Sequence, residues 1–252
     1  MKPPQGSERL VYVRHMFARI AGRYDLLNRL MTFGRDRAWR AEAIRHLQPQ
    51  PGQLLLDLGS GTGDLALQLI ETTPGVRVIA ADLTLEMMLI GCQRQHGGRV
   101  LWVVVDAGNL PFAAEAFDGV ISGYLLRNVP DVTQTLAEHR RVLRPEGRVA
   151  SLDTTPPQPN LLLPFIRFYL KFIIPLLGKL VAGDSEAYTY LPETTAQFLT
   201  AEALAERFRQ AGLVVEGFVR RMAGTMAIHW GHKPPPEPPQ AASTTPNANN
   251  RQ

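Results

Sequence analysis

QLLLDLGSGTGDLALQLIETT, residues 53–73, decides the fold. A short apolar run ends at Asp57. Three glycines, Gly59, Gly61 and Gly63, follow at alternate positions, and from Asp64 apolar residues recur at helical spacing. This reads as a strand, a tight turn and a helix.

The alternation repeats outward. VRVIAADL (76–83) predicts a second strand and TLEMMLIGCQRQ a helix after it; VLWVVVD (100–106) predicts a third strand. FDGVISGYL (117–125), VTQTLAEHRRVL (132–143) and GRVASLD (147–153) give a fourth strand, a helix and a fifth strand. AEALAERFRQAG (201–212) is a helix ending at Gly212, and LVVEGFVRR and GTMAIHWG read as two closing strands. Near-continuous apolar strands alternating with helices imply an α/β fold, a mostly parallel sheet covered on both faces.

Three segments flank this core. Residues 1–50 read as an N-terminal helical lid, with Gly22 and Gly34 punctuating it, ahead of a cofactor-binding domain over 51–232. This segment carries ten Lys/Arg against four Asp/Glu, although the formal charge of the 252-residue chain is only +4, so it is expected to meet an anionic surface or substrate. Residues 155–195 form an apolar helical insert. Its richest stretch, 161–183, is broken by Arg167, Lys171, Lys179, Pro164 and Pro175, which disfavours a membrane span and leaves two readings: a buried cover over the cleft, or a peripheral membrane contact with the cations at the headgroups. Residues 233–252 read as a disordered, Pro-rich tail. A lone Cys92, the absence of zinc spacing and the lack of a secretory pattern suggest a reducing, cytoplasmic setting, peripheral at the inner face of the membrane, with no metal.

Ligands of open α/β sheets bind at the carboxyl ends of the strands. Those ends carry Asp57 to Asp64, Asp82 with Leu83, Asp106 with Ala107, and Gly123 to Asn128. A dinucleotide fingerprint would be G-x-G-x-x-G; here the third glycine arrives one residue early and Asp64 takes its place. A carboxylate at that helix start disfavours a pyrophosphate. A cationic nucleoside suits it better, and S-adenosylmethionine fits: Asp57 and Asp64 face its charged end, Asp82 the ribose hydroxyls and Asp106 the adenine amine.

The quoted loop, Asp82 and DAGNLPF (106–112) resemble class I S-adenosylmethionine-dependent methyltransferases. AGRYDLLNRLMTFGRDRAW (21–39), LLRNVPD (125–131), RVLRPEGR (141–148), IIPLLGKLVAGDSEAYTYLPE (173–193) and HWGHKP (229–234) resemble the ubiquinone/menaquinone biosynthesis C-methyltransferases. The resemblance implies a Rossmann-like, seven-stranded sheet with the last strand antiparallel, and methyl transfer to a ring carbon of a polyprenylated quinol of the demethylmenaquinol type. It implies a donor site of Asp57, Gly59, Gly61, Thr62, Gly63, Asp82, Leu83, Asp106, Ala107 and Gly123. Gly123 stands where the family usually has serine, Asp36 where it has histidine, Thr32 where it has serine and Asp153 where it has glutamate. For chemistry, Arg127 and Asn128 are expected to hold a developing phenolate, Tyr24 and Asp25, with Asn28, to close over cofactor and ring, and His229 to act as a base. A small phenol or another lipid as acceptor, an oxidoreductase, and a non-catalytic cofactor-binding scaffold are the alternatives. No nucleic-acid partner is expected, because the basic segment lacks interleaved aromatics. Oligomeric state is not legible.

Overall fold

The computed structural model describes residues 6–159, 161–179, 190 and 194–236. The tail from residue 237, and residues 180–189 and 191–193 of the motif at 173–193, lie outside the described residues.

The strands are β1 (Leu54–Leu58), β2 (Arg77–Asp82), β3 (Leu101–Val104), β4 (Phe117–Gly123), β5 (Leu143–Thr154), β6 (Val214–Arg221) and β7 (Met226–His232). They form one seven-stranded sheet in the order β3-β2-β1-β4-β5-β7-β6. β1 to β5 pair parallel, and β7 runs antiparallel between β5 and β6. The order reverses between β1 and β4, and a cleft therefore opens at their carboxyl ends.

Side-chain alternation divides the core between the two faces. Leu55, Val78, Ile121 and Ala150 pack on one side with α2 (Asp36–Leu47) and α3 (Asp64–Thr72). Leu56, Leu58, Val120 and Val149 pack on the other with α5 (Val132–Val142) and α8 (Ala201–Gln210). Asp131 starts α5 by accepting from the backbone N–H groups of Thr133 and Gln134 at 2.7 and 3.0 Å, and Thr200 starts α8 by accepting from Ala203. α4 (Leu85–Gln93) covers β3.

α1 (Ser7–Met31) lies over the carboxyl ends of the strands, packed on α4. Val13, Met16, Ile20 and Leu27 build a separate cluster there with Ile174 and Tyr190. Gly22 does not interrupt this helix; the break comes at Phe33 and Gly34, both at positive φ. The insert is a helical rod of α6 (Leu163–Phe168), a π-helical stretch (Tyr169–Ile173) and α7 (Ile174–Leu177). β5 starts earlier than its apolar run, at Leu143, with a register irregularity opposite β4 before Gly119.

Candidate active site

β1 delivers Asp57 to the cleft and the glycine turn folds back over it. Gly59 and Ser60 donate backbone N–H bonds to the Ala81 carbonyl at the end of β2, at 2.8 and 3.1 Å. Gly59 sits at φ 71°, and a Cβ there would stand 2.8 Å from Leu125, so the turn can approach the β4 loop only as glycine.

A cavity opens beside this turn, with about 660 Å³ of empty space when the adjoining open solvent is included. Gly59, Gly61, Asp82, Leu83, Asp106, Ala107 and Gly123 all line it. Asp82 accepts from the N–H groups of Gly61 (2.8 Å) and Thr84 (2.7 Å), one at each oxygen, which aims the carboxylate and leaves lone pairs for two further hydroxyls. Asp106 accepts from Gly108 N–H at 2.9 Å, so it forms the turn as well as the rim. Leu10, Val13, Phe17 and Tyr24 of α1 roof the cavity.

A narrower cleft of about 310 Å³ lies under the glycine turn, lined by Asp57, Thr62, Asp64, Arg40, Tyr24 and Tyr124 among others. Asp57 is fully buried. One of its oxygens accepts from Ala66 N–H at 2.9 Å; Oδ1 has no partner among the described residues. Burial pushes this carboxyl up to about 7, against the pull of the Ala66 bond. An unpartnered buried carboxylate oxygen is costly, and an ammonium group would satisfy it. Arg40, buried in the same cleft, already pairs with Asp36 and Asp64, and as a five-donor guanidinium is the group here that fits a further carboxylate. These residues therefore fit the zwitterionic end of S-adenosylmethionine, and the larger cavity fits its adenosyl end.

A third cavity, of about 560 Å³, lies on the other side of Tyr124. Met31, Leu170, Ile174, Met222 and Met226 make its apolar wall. Asn28, Arg127 and Thr154 line it too; Arg127 Nε, Thr154 Oγ1 and Tyr124 Oη are buried and unpartnered among the described residues, whereas Asn28 hydrogen-bonds the Tyr24 phenol. Tyr124 borders all three spaces, at a left-handed φ of 59° that a non-glycine residue adopts at a cost. Its ring lies within cation–π reach of both Arg40 (5.6 Å) and Arg127 (5.3 Å). Burial pushes its phenol up, against both guanidinium groups, so it stays a neutral donor. The same burial raises Tyr24, against Arg127 and Arg40.

Several expectations are corrected. His229 sits mid-strand in β7, 1% exposed, its Nε2 on the Ala201 carbonyl at 2.8 Å and its ring stacked near Phe208 and Phe218. Burial lowers it to about 4; it is a neutral core side chain, not a base at the cleft. Gly63 does not line the donor cavity: a Cβ there would stand 2.4 Å from Trp102, so its glycine serves packing. Arg127 and Asn128 do not converge. Arg127 faces the third cavity, whereas Asn128 lines the donor cavity and donates to the Tyr124 carbonyl at 2.8 Å. Asp64 does not await a cation, since Arg94 (2.7 Å) and Arg40 (3.2 Å) already pair with it. Asp25 lines none of the three cavities; it accepts from Thr62 Oγ1 at 2.7 Å and so ties the lid to the glycine turn. Thr62 keeps a place in the narrow cleft, with its hydroxyl engaged by Asp25.

Sequence reasoning passed over Arg40 and Tyr124. An Asp36-to-Arg40 spacing reads as an ordinary surface pair on a helix, and nothing local announces a tyrosine in a left-handed conformation.

The profile of the ubiE/COQ5 methyltransferase family matches residues 5–233. The ubiquinone/menaquinone biosynthesis C-methyltransferase UbiE of Desulfotalea psychrophila is 46% identical over 222 residues, covering 88% of this chain and 90% of that protein. The demethylmenaquinone methyltransferase of Thermus thermophilus is 40% identical over 221 residues, covering 87% and 100%. Among solved structures, a SAM-dependent methyltransferase of Thermotoga maritima superposes with a TM-score of 0.62 at 21% identity, covering 87% of this chain and 99% of that one. The [4+2]-cyclase SpnF reaches 0.66 at 17% identity, covering 89% and 96%, so the fold by itself does not name a reaction. The match over nearly the whole chain does: this chain belongs to the ubiE/COQ5 methyltransferase family.

Proposed function

We propose that the protein transfers a methyl group from S-adenosylmethionine to a ring carbon of a polyprenylated quinol, of the demethylmenaquinol-to-menaquinol type. The observation that carries this reading is the pair of cavities that meet at Tyr124: one rimmed by Asp82 and Asp106, the other walled by Met31, Leu170, Ile174, Met222 and Met226 and also lined by the unpartnered polar atoms of Arg127, Thr154 and Tyr124.

The methyl donor, when bound, supplies the electrophilic methyl group, and its sulfur keeps the bonding electron pair. The chain's own part is alignment and exclusion of water. Asp82, Asp106 and Asp57 fix the donor's orientation. Arg127, Tyr124 and Asn28 receive the quinol oxygens. As a ring hydroxyl gives its proton to water, the ring carbon ortho to it becomes nucleophilic, and the cationic Arg127 with the neutral Tyr124 phenol stabilises the oxygen's growing charge. After methylation, the attacked carbon gives up its proton to water and the oxygen takes one back, which restores the aromatic hydroquinol and leaves one proton released overall. Incubation with labelled donor and, in parallel, a demethylated naphthoquinol and a benzoquinol tests the reading. Label on a ring carbon of the naphthoquinol is the expected result; label on oxygen, or on neither ring, overturns it.

The acceptor's class accounts for the outer face of the insert. No described helix is long and apolar enough to cross a membrane. Yet Leu161, Phe165, Phe168, Phe172 and Leu176, at helical spacing on the insert, are all more than half exposed, Leu161 by 95%. Leu170 and Ile174 on the inner side wall the third cavity. Phe33, 74% exposed at the α1–α2 turn, joins this face through its ring contact with Tyr169. Arg167 and Lys171 are exposed on the same segment, and residues 161–179 contain no acidic residue. An apolar face that carries cations and no acidic group fits the surface of an anionic bilayer, from which a prenyl tail reaches the cavity. The protein is expected to float with vesicles of anionic phospholipid, weakly with neutral ones, and Phe165→Glu with Phe168→Glu should abolish flotation. Absence from the lipid fraction at both low and high salt removes the membrane contact from the reading.

A further inference from the structure

Beside the Asp25–Thr62 bond, the lid and the glycine turn are joined by a side chain that lines none of the three cavities. Arg94 follows the last turn of α4, remote in sequence from both. Its Nη1 reaches three acceptors: the Thr62 carbonyl in the glycine turn at 3.0 Å, Asp64 Oδ1 at the start of α3 at 2.7 Å, and Asp25 Oδ2 on α1 at 3.5 Å. Asp25 returns the connection by accepting from Thr62 Oγ1 at 2.7 Å. Asp64 passes it on, because its other oxygen pairs with Arg40 at 3.2 Å; Arg40 pairs with Asp36, and Asp36 accepts from Thr32 Oγ1 at 3.1 Å, back on α1. The side chains thus close a circuit that leaves α1 at Asp25 and returns to its end at Thr32, the residue just after the helix.

Within the circuit Asp25, Asp36 and Asp64 face Arg40 and Arg94. Arg94 neutralises the Asp25–Asp64 repulsion where the lid meets the turn. Without it, two carboxylates would confront each other across that joint, and like charges at such range drive elements apart. The joint matters because Leu10, Val13, Phe17 and Tyr24 of the same helix line the cavity assigned to the donor, so a displaced α1 removes one of its walls.

We infer that Arg94 is a positioning residue that clasps the lid helix onto the glycine turn, so that lid closure and retention of the methyl donor are one equilibrium. The inference rests on the donor assignment above. Nothing in Arg94 touches the donor cavity; it acts through Asp25, Thr62 and Asp64.

The test uses the full chain. Calorimetry with S-adenosylmethionine should show Arg94→Ala binding roughly 10- to 50-fold more weakly than wild type, the loss of charge-assisted hydrogen bonds at a partly buried joint. Amide hydrogen exchange of the donor-bound protein should quicken in α1 and stay unchanged in α5 and α8. Arg94→Lys, which keeps a cation facing both carboxylates, should recover most of the affinity. Where Arg94→Ala does not fold, Asp25→Asn carries the test: it keeps an acceptor for Thr62 but loses the ion pair, and should bind several-fold more weakly with faster α1 exchange. Donor affinity within twofold of wild type with α1 exchange unchanged overturns the clasp, as does exchange that rises equally in every helix. Wild-type protein that ignores the donor overturns the functional assignment itself; wild type that binds it beside an indifferent variant overturns only the clasp.

Discussion

Asp57→Asn is expected to weaken S-adenosylmethionine binding by about 100-fold or more, and at the same time to make the donor-free protein more stable at pH 8. Both effects come from one atom. Asp57 is fully buried and its Oδ1 has no partner. Removing one member of a buried ion pair costs about 2–5 kcal/mol, which sets the binding loss. The stability gain follows from proton linkage. The folded carboxyl titrates near 7, above its ordinary value of 3.8. Between those values the folded chain holds more protons than the unfolded one, so this group's contribution is fully favourable below about pH 4 and is lost as pH rises through 7. Above pH 7 the donor-free protein carries a buried, unpaired charge, at a cost on the order of a few kcal/mol. Asparagine keeps an acceptor for the Ala66 N–H and removes that charge. In wild type the donor's ammonium offsets the same penalty, so donor affinity should climb between pH 6 and 8. Calorimetry and thermal unfolding at pH 5.5 and 8 check each part. A variant that binds donor within threefold of wild type sinks the assignment of Asp57 to the ammonium.

The legible part of this molecule is what local pattern controls. The glycine turn after an apolar run ending in Asp57, and an aspartate at the end of each of the next two strands, meet at one cavity, because strand ends in a parallel sheet converge. The sequence of strands and helices is legible for the same reason: Leu55 and Leu56 are both apolar since both faces of β1 are covered. What fails is whatever depends on tertiary meeting. Asp64 reads as an open anion, yet two arginines from α2 and the end of α4 reach it. His229 reads as a polar residue near a strand end, whereas α8 lies over it and supplies its partner carbonyl. Arg127 and Asn128 are neighbours in sequence, and they serve different cavities because the chain turns at Tyr124 as it leaves β4. The face of the insert shows the limit in another form. Its apolar run is plain in the sequence, but which half is covered by α1 and which is bare is fixed only by packing against Leu27 and its neighbours.

Arg127→Ala should lower kcat by about 100-fold or more and also destabilise the protein, and the two effects can be pulled apart. Arg127 and Asp153 are both buried, with the guanidinium 3.7 Å from the carboxylate and the Arg127 N–H on Asp153 at 3.2 Å. Truncation alone leaves Asp153, 1% exposed, without its cation, and an orphaned buried charge costs about 3–5 kcal/mol. Burial already pushes that carboxyl up, with Arg127 the main opposing charge, so Asp153 should take up a proton at a higher pH in the variant than in wild type. A drop in activity in the single variant therefore says little about chemistry. The double variant Arg127→Gln with Asp153→Asn replaces the ion pair by neutral groups of similar shape that can still hydrogen-bond. Its melting temperature should return to within a few degrees of wild type. Its kcat should not return, since glutamine offers no cation to a developing phenolate in the third cavity and an uncharged donor stabilises that charge far less. Donor affinity should stay within about threefold of wild type in both variants, because neither residue lines the donor cavity or the cleft beneath the glycine turn. Recovery of turnover together with stability in the double variant would make Arg127 a structural partner of Asp153 and leave Tyr124 and Asn28 to receive the quinol oxygens without it.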